Sequence, residues 1–170
     1  MENIKHSFCP IINADSKILI LGSMPSKISR EKSFYYANPT NRFWKILSSI
    51  FAVDLINATT EQKTEFLLEN NIALYDVYAE CDMKKDGSSL DSYISNPVLA
   101  DIPNLVKNTK INKIFVTSKK AYGDFCKRYG EYFESLNIKI TNLPSPSGAN
   151  RSVYRTDEDL IVCWKKSIFG

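Results

Sequence analysis

The run Ile18-Leu-Ile-Leu21, closed by Gly22 and followed by Pro25, constrains the fold more than any other stretch. Four apolar residues bounded by such punctuation predict a strand buried on both faces and ending at a tight turn, the pattern of a parallel sheet. The segment after it is unusual. About twenty residues rich in aromatics, small residues and prolines pass before helical spacing resumes at Phe43, a long connection for a compact α/β domain. Sites in open parallel sheets form outside the carboxyl ends of the strands, where this connection must lie. The active site is therefore expected here.

Three further strands follow the same logic. Ile72-Ala-Leu-Tyr-Asp-Val-Tyr78 is an apolar run carrying Asp76 near its end; Lys113–Thr117 is β-branched and aromatic; Ile138–Thr141 leads into a Pro, Ser and Gly-rich segment, Leu143–Arg151, expected to be irregular. A polar loop is expected over Glu80–Ser89, with a turn at Asp86-Gly87. Between the strands, Phe43–Phe51 and Thr60–Asn70 have helical spacing, with Thr60 a candidate cap. Ser118 is placed to cap a helix over Lys119–Tyr132, and Thr156 or Asp157 a closing helix through Trp164. Weaker helical signals, interrupted by Pro97 and Pro103, lie at Asp91–Ile94, with Asp91 as its cap, and at Leu99–Thr109. Met1–Asp15 reads as a lead-in packed on the edge of the domain. This alternation predicts an α/β fold, a three-layer α/β/α sandwich with a central four-stranded mainly parallel sheet, as one domain over residues 1–170. The loops after the first, second and fourth strands emerge on one edge and can share a cleft.

Composition narrows the function. The 170 residues are 44% hydrophobic and 24% charged with a net charge of +3, a globular balance that permits nucleic-acid binding without requiring it. Cys9, Cys81, Cys126 and Cys163 are too scattered for a metal-ligand set and read as reduced, mostly buried thiols. No apolar signal core or membrane span is present, so the expectation is a cytoplasmic monomer (nucleoid-associated if prokaryotic) without a membrane partner. His6, the sole histidine, reads as a surface or packing residue.

Gly22-Ser-Met-Pro-Ser26 has neither dinucleotide-binding nor P-loop spacing, and no Gly-x-Ser-x-Gly elbow exists. Neither cofactor nor metal is expected. The cleft instead offers aromatics (Tyr35, Tyr36), amides (Asn38, Asn41), hydroxyls (Ser23, Ser26, Ser145, Ser147) and Arg151. Aromatic planes stack on bases, amides read ring edges, and hydroxyls hold phosphates, but the same inventory also fills the gap between a loop and a sheet.

Gly22-Ser-Met-Pro-Ser26, Tyr36-Ala-Asn-Pro-Thr-Asn-Arg-Phe-Trp44 and Leu143-Pro-Ser-Pro-Ser-Gly-Ala-Asn-Arg151 together resemble the uracil-DNA glycosylase superfamily. Leu19-Ile-Leu-Gly-Ser-Met-Pro25, Tyr35-Tyr-Ala37, Leu74-Tyr-Asp-Val77 and Ser89-Leu-Asp-Ser92 are most similar to its hypoxanthine-DNA glycosylase branch. The resemblance implies a monofunctional DNA repair enzyme of base excision repair. It would flip a deaminated base (hypoxanthine first, with uracil and xanthine left open) from double-stranded DNA and hydrolyse its N-glycosidic bond; single-stranded DNA stays open as a second form. It also implies roles. Tyr36 matches the aromatic that stacks on the flipped base, and Ser23 and Met24 adjoin that base. Met24 stands where many members place a water-orienting Asp or Asn, and Leu143 where the uracil-specific type has a histidine. Asn41 then takes the catalytic role, positioning water or hydrogen-bonding the leaving base, although it is equally placed to cap the next helix. Ser26, Ser145 and Ser147 would hold DNA, and Gly148, Ala149, Asn150 and Arg151 match the wedge loop that fills the vacated space. Two competing readings are a non-catalytic nucleic-acid-binding relative, which Met24 suggests, and an α/β hydrolase of free nucleosides.

Overall fold

The computed structural model describes residues 1–84 and 91–170; the expected Asp86-Gly87 turn lies outside them. Four strands, β2 (Ile18–Gly22), β3 (Ile72–Asp76), β6 (Lys113–Val116) and β7 (Lys139–Asn142), form a parallel sheet in the order β3-β2-β6-β7. The register aligns Gly22 with Asp76 at the carboxyl ends of β2 and β3. Alternate residues of the central strands enter two separate cores, because successive side chains in a strand point to opposite faces. Leu19, Leu21, Ala73, Ile114 and Val116 pack on one side with α4 (Ile102–Val106) and α5 (Lys119–Ser135). Ile20, Ile72, Leu74 and Phe115 pack on the other with α2 (Phe43–Phe51), α3 (Thr60–Glu69) and α6 (Asp157–Phe169). The three-layer α/β/α expectation holds: the four strands pair in parallel, and Ile11 of the lead-in adds one antiparallel bridge to Leu74 at the β3 edge.

A second sheet was not expected. β1 (Glu2–Lys5), β4 (Tyr78–Met83) and β5 (Ser95–Leu99) pair antiparallel in the order β1-β4-β5. The run through Tyr78 divides because the Val77 and Tyr78 N–H groups donate to the Gly22 and Ser23 carbonyls, which turns the chain out of the parallel sheet. Glu80–Met83 is thus strand rather than loop. Cys81 and Met83 are buried while Glu80 and Asp82 are more open, an alternation that composition alone disguises as polarity. Pro97 is accommodated because β5 is an edge strand.

Several boundaries also move. The long connection after β2 contains a short helix, α1 (Lys27–Lys32), started by the Ser26 hydroxyl accepting from Ser29 N–H. Thr59 rather than Thr60 caps α3, in a reciprocal capping box with Gln62. Asp91 begins a 3-10 turn, Asp91–Tyr93, but its carboxylate accepts the Ser118 hydroxyl rather than capping its own backbone. Leu99 ends β5, so the helix expected from it begins at Ile102, after the Asp101 cap. Ser118 and Thr156 cap α5 and α6 as expected. Of the four cysteines only Cys81 is buried; Cys9, in the lead-in, is exposed. No helix among the described residues is long and apolar enough to cross a membrane.

Candidate active site

The segments that leave the carboxyl ends of the four parallel strands enclose a cavity of about 330 Å³. The turn after β2 contributes Gly22, Ser23, Met24 and Ser26; the end of β3 contributes Asp76; Thr117 and Ser118 follow β6; and Ser145, Ser147, Gly148, Ala149 and Asn150 follow β7. The segment before α2 contributes Tyr35, Tyr36, Asn38, Thr40 and Asn41. Twelve of the residues expected from sequence therefore meet in one space. Arg151 does not; it lines a neighbouring groove.

Asn41 is held at the mouth of α2. The Phe43 backbone N–H donates to Asn41 Oδ1 (2.9 Å), so the side chain occupies one of the helix's otherwise unpaired donors. One lone pair of its oxygen is taken by the helix, and Nδ2 can only donate. The next residue ties the two halves of the site together. Arg42 N–H donates to the Pro146 carbonyl (2.8 Å), while its buried guanidinium donates to the carbonyls of Ser147 (3.1 Å) and Tyr154 (3.0 Å). Burial, then repulsion from Arg151, lowers the Arg42 pKa. This clasp has no local signature in the sequence, because its partners lie more than a hundred residues away.

The loop after β7 is shaped by its own polar groups. Ser145 Oγ accepts from Ser147 N–H (3.2 Å), Ser147 Oγ from Ala149 N–H (3.2 Å), and Asn150 Nδ2 donates to the Ser145 carbonyl (3.0 Å). These bonds produce a 3-10 turn, Gly148–Ser152, inside the segment expected to be irregular. Gly148 fits closely there: a Cβ at that position would lie 3.0 Å from the Thr40 carbonyl oxygen. Trp164 anchors the loop from below through Nε1–H to the Pro144 carbonyl (2.9 Å).

Tyr36 has a left-handed backbone (φ 52°) and stacks on Phe43 with ring centroids 3.9 Å apart and planes 10° off parallel. Its hydroxyl is buried without a hydrogen-bond partner among the described residues. Burial and the nearby Asp76 carboxylate raise its pKa above the ordinary phenol value. Met24 is buried in the core while also lining the cavity.

The sequence reading misses one constellation. His6 Nε2 lies 2.7 Å from Asp76 Oδ2, with the two side chains 2% and 6% exposed. His6 is therefore a deeply buried partner of a cavity carboxylate, not a surface residue. Phe8 and Tyr75 surround its ring at centroid distances of 4.7 and 4.6 Å. A signal for Asp76 did exist: an acid at the end of an apolar strand, on the edge where Gly22 ends its own. His6 carried none.

The adjoining groove, of about 760 Å³, shares Tyr36, Asn38, Thr40, Asn41 and Gly148 with the cavity. Five cations line it: Lys32, Arg42, Lys45, Lys63 and Arg151. Its one carboxylate, Asp157, engages Lys45 (2.5 Å), Arg42 (3.7 Å) and Arg151 (3.7 Å). Partial burial, then Lys32, lowers the Lys63 pKa. The groove is a site of concentrated positive charge.

A sequence profile of the Uracil DNA glycosylase superfamily matches residues 9–166. Hypoxanthine DNA glycosylase of Methanosarcina barkeri is 33% identical over 151 residues, covering 86% of this chain and 89% of that protein. The Methanosarcina acetivorans protein of the same name is 33% identical over 159 residues, covering 91% and 94%. The solution NMR structure of a putative uracil DNA glycosylase from Methanosarcina acetivorans superposes with a TM-score of 0.76 at 30% identity, over 94% of this chain and 92% of that one. With cavity, motifs and fold in agreement over nearly its whole length, the chain belongs to the uracil-DNA glycosylase superfamily, in its hypoxanthine-DNA glycosylase branch.

Proposed function

We propose that this protein is a monofunctional DNA glycosylase that takes a deaminated base, hypoxanthine above all, from DNA and hydrolyses its N-glycosidic bond to leave an abasic site. The observation that carries this reading is the continuity of an open, largely polar cavity that Tyr36 lines with a groove lined by five cations. A base requires the first and the phosphodiester backbone attached to it requires the second. The names of the Methanosarcina relatives point to hypoxanthine.

Extruding a nucleotide costs a few kcal/mol, least for a mispaired base, which favours deaminated bases before any contact is made. Inside, Tyr36 backed by Phe43 offers its remaining surface to the base, with Ser23 and Met24 alongside. As the glycosidic bond breaks, electrons move onto the departing base and the sugar becomes cation-like. Asn41 Nδ2 donates to the departing base and stabilises that charge. A preorganised donor of this kind contributes about 10²–10³-fold in rate. Water is the second reactant; an amide is a poor general base, so turnover is slow. Ser26, Ser145 and Ser147, with the backbone of Gly148 and Ala149, hold the strand. Arg151 fills the vacated stack, because the Asn150 amide is already bonded within its loop.

Single-turnover reactions on duplexes carrying deoxyinosine, deoxyuridine or deoxyxanthosine test this. The expected result is release of free hypoxanthine, with the strand broken only after alkali treatment. Binding without any abasic product would favour the alternative that Met24 suggests, a non-catalytic relative. Cleavage of free inosine would instead support a nucleoside hydrolase.

A further inference from the structure

The chemistry above places a donor beside the departing base and leaves the other half of the charge separation unattended. When the C1′–N bond breaks, its electron pair leaves with the base. The sugar ring oxygen shares a lone pair with C1′, and the sugar carries the positive charge. Water then bonds to C1′ and gives a proton to solvent, while the released base takes one up. Asn41 Nδ2 can only donate, so it does nothing for a cation, and Met24 holds no charge. Among the described residues two carboxylates line the cavity, Asp76 and Asp91. They are differently placed. Asp76 is 4% exposed and bonded to His6 at the floor. Asp91 is half-buried, and its neighbour Ser92, which also lines the cavity, is exposed, so this part of the wall lies at the rim. An extruded base occupies the depth of a cavity, and its sugar, still joined to the strand, stays at the rim.

Asp91 is also held in place. Its carboxylate accepts the Ser118 hydroxyl, and Ser118 Oγ accepts from Ala121 N–H (3.1 Å), so the carboxylate is tied to the first turn of the 17-residue helix α5. Among the described residues it is bonded only to this neutral hydroxyl, whereas His6 engages Asp76 and three cations surround Asp157. A fixed carboxylate with no cation beside it attracts a positive charge that develops within reach, and most strongly where bound substrate displaces water. We propose that Asp91, held by Ser118, stabilises the sugar cation as the glycosidic bond breaks. The Asp91–Tyr93 turn thus supplies a charge that the Met24 position lacks. Asp91 is a catalytic residue acting on the sugar, opposite in sign to the task of Asn41, and Ser118 is its positioning residue.

This rests on the glycosylase reading, and the test separates the two. Affinities are compared for duplexes identical except at one abasic position, occupied either by a pyrrolidine, whose ring nitrogen is protonated at neutral pH, or by neutral tetrahydrofuran. The comparison reports the charge on the sugar ring, contains no base and needs no catalysis. Wild type is expected to prefer the pyrrolidine by about tenfold or more. In Asp91→Asn the amide oxygen can still accept from Ser118, and the melting temperature shows that the variant folds. The expected result is loss of that preference with affinity for the tetrahydrofuran duplex little changed, and single-turnover release of hypoxanthine slower by about 100-fold or more. Ser118→Ala keeps the charge but frees the carboxylate, and is expected to lower both the preference and the rate. Equal binding of the two duplexes by wild type overturns the proposal. So does a preference retained in Asp91→Asn; if excision is nevertheless lost, Asp91 acts elsewhere than on the sugar. A wild-type ratio in folded Ser118→Ala overturns the positioning role. Failure of the wild type to release any base defeats the glycosylase reading, while the affinity ratio still decides whether Asp91 faces the sugar.

Discussion

On the glycosylase reading Asn41 has two tasks, one for each end of its amide, and they can be separated. Its oxygen accepts from Phe43 N–H, while Nδ2 is left to donate into the cavity. Asn41→Ala removes both and is expected to cost about 1 kcal/mol of stability as a lost helix cap, together with a fall of about 100-fold or more in single-turnover base release. Asn41→Asp keeps an oxygen for Phe43 N–H, and a negative charge suits the start of a helix, so stability is expected to hold while base release falls as in the alanine variant. Excision by Asn41→Asp at or above the wild-type rate would show that the position acts by orienting water through oxygen. The place of Asn41 at the mouth of α2 was readable in the sequence. The pairing of His6 with Asp76 was not, because contacts between residues seventy positions apart leave no local periodicity.

At the scale of elements, the start of α6 is where the structure concentrates opposite charge. Asp157, the first residue of α6, meets Lys45 of α2, buried Arg42 and Arg151. The hydrogen bond from Lys45, followed by attraction to Arg151 and Arg42, holds its pKa below the usual carboxylate value against the opposing effect of burial. A folded-state pKa below the unfolded one stabilises the protein above the unfolded value and loses that contribution as pH falls through the folded value. Asp157→Asn is therefore expected to cost about 1–2 kcal/mol at neutral pH, since it leaves the Arg42 charge without its carboxylate. In denaturant melts the gap to wild type should close as pH drops below about 4. A gap that persists undiminished at pH 3 would locate the cost in helix packing. The caps at Ser118 and Thr156 are legible from sequence because capping is a local bond, reaching only three residues. The helix α1 was hidden by its brevity: six residues provide too little apolar periodicity to detect.

Over the whole molecule, net charge understates the electrostatics. A balance of +3 conceals a groove with five cations and one carboxylate. Lys32 and Lys63 have no carboxylate partner among the described residues, and Lys63 lies over the Trp44 ring at 5.1 Å. If the groove carries the DNA backbone, Lys32→Ala with Lys63→Ala should reduce the slope of log affinity against log salt by about one for each lysine that meets a phosphate. Excision at saturating DNA should stay near wild type. An unchanged slope would move the strand to another face.

Strand and helix identity in the central sandwich follows from local patterning: apolar runs of four or five residues, helical spacing, capping hydroxyls. Those features act through neighbours in the chain, so Ile18–Leu21, Lys113–Val116 and Phe43–Phe51 are specified by their own residues. The convergence of the loops was deducible as well, since parallel strands must send their ends to one edge. Tertiary structure alone decided the rest. The antiparallel sheet depends on backbone bonds from Val77 and Tyr78 to the end of β2, and the Arg42 clasp on carbonyls more than a hundred residues away. The His6–Asp76 pair is stable only because both groups are buried together, where a charge must find its partner whatever the distance along the chain.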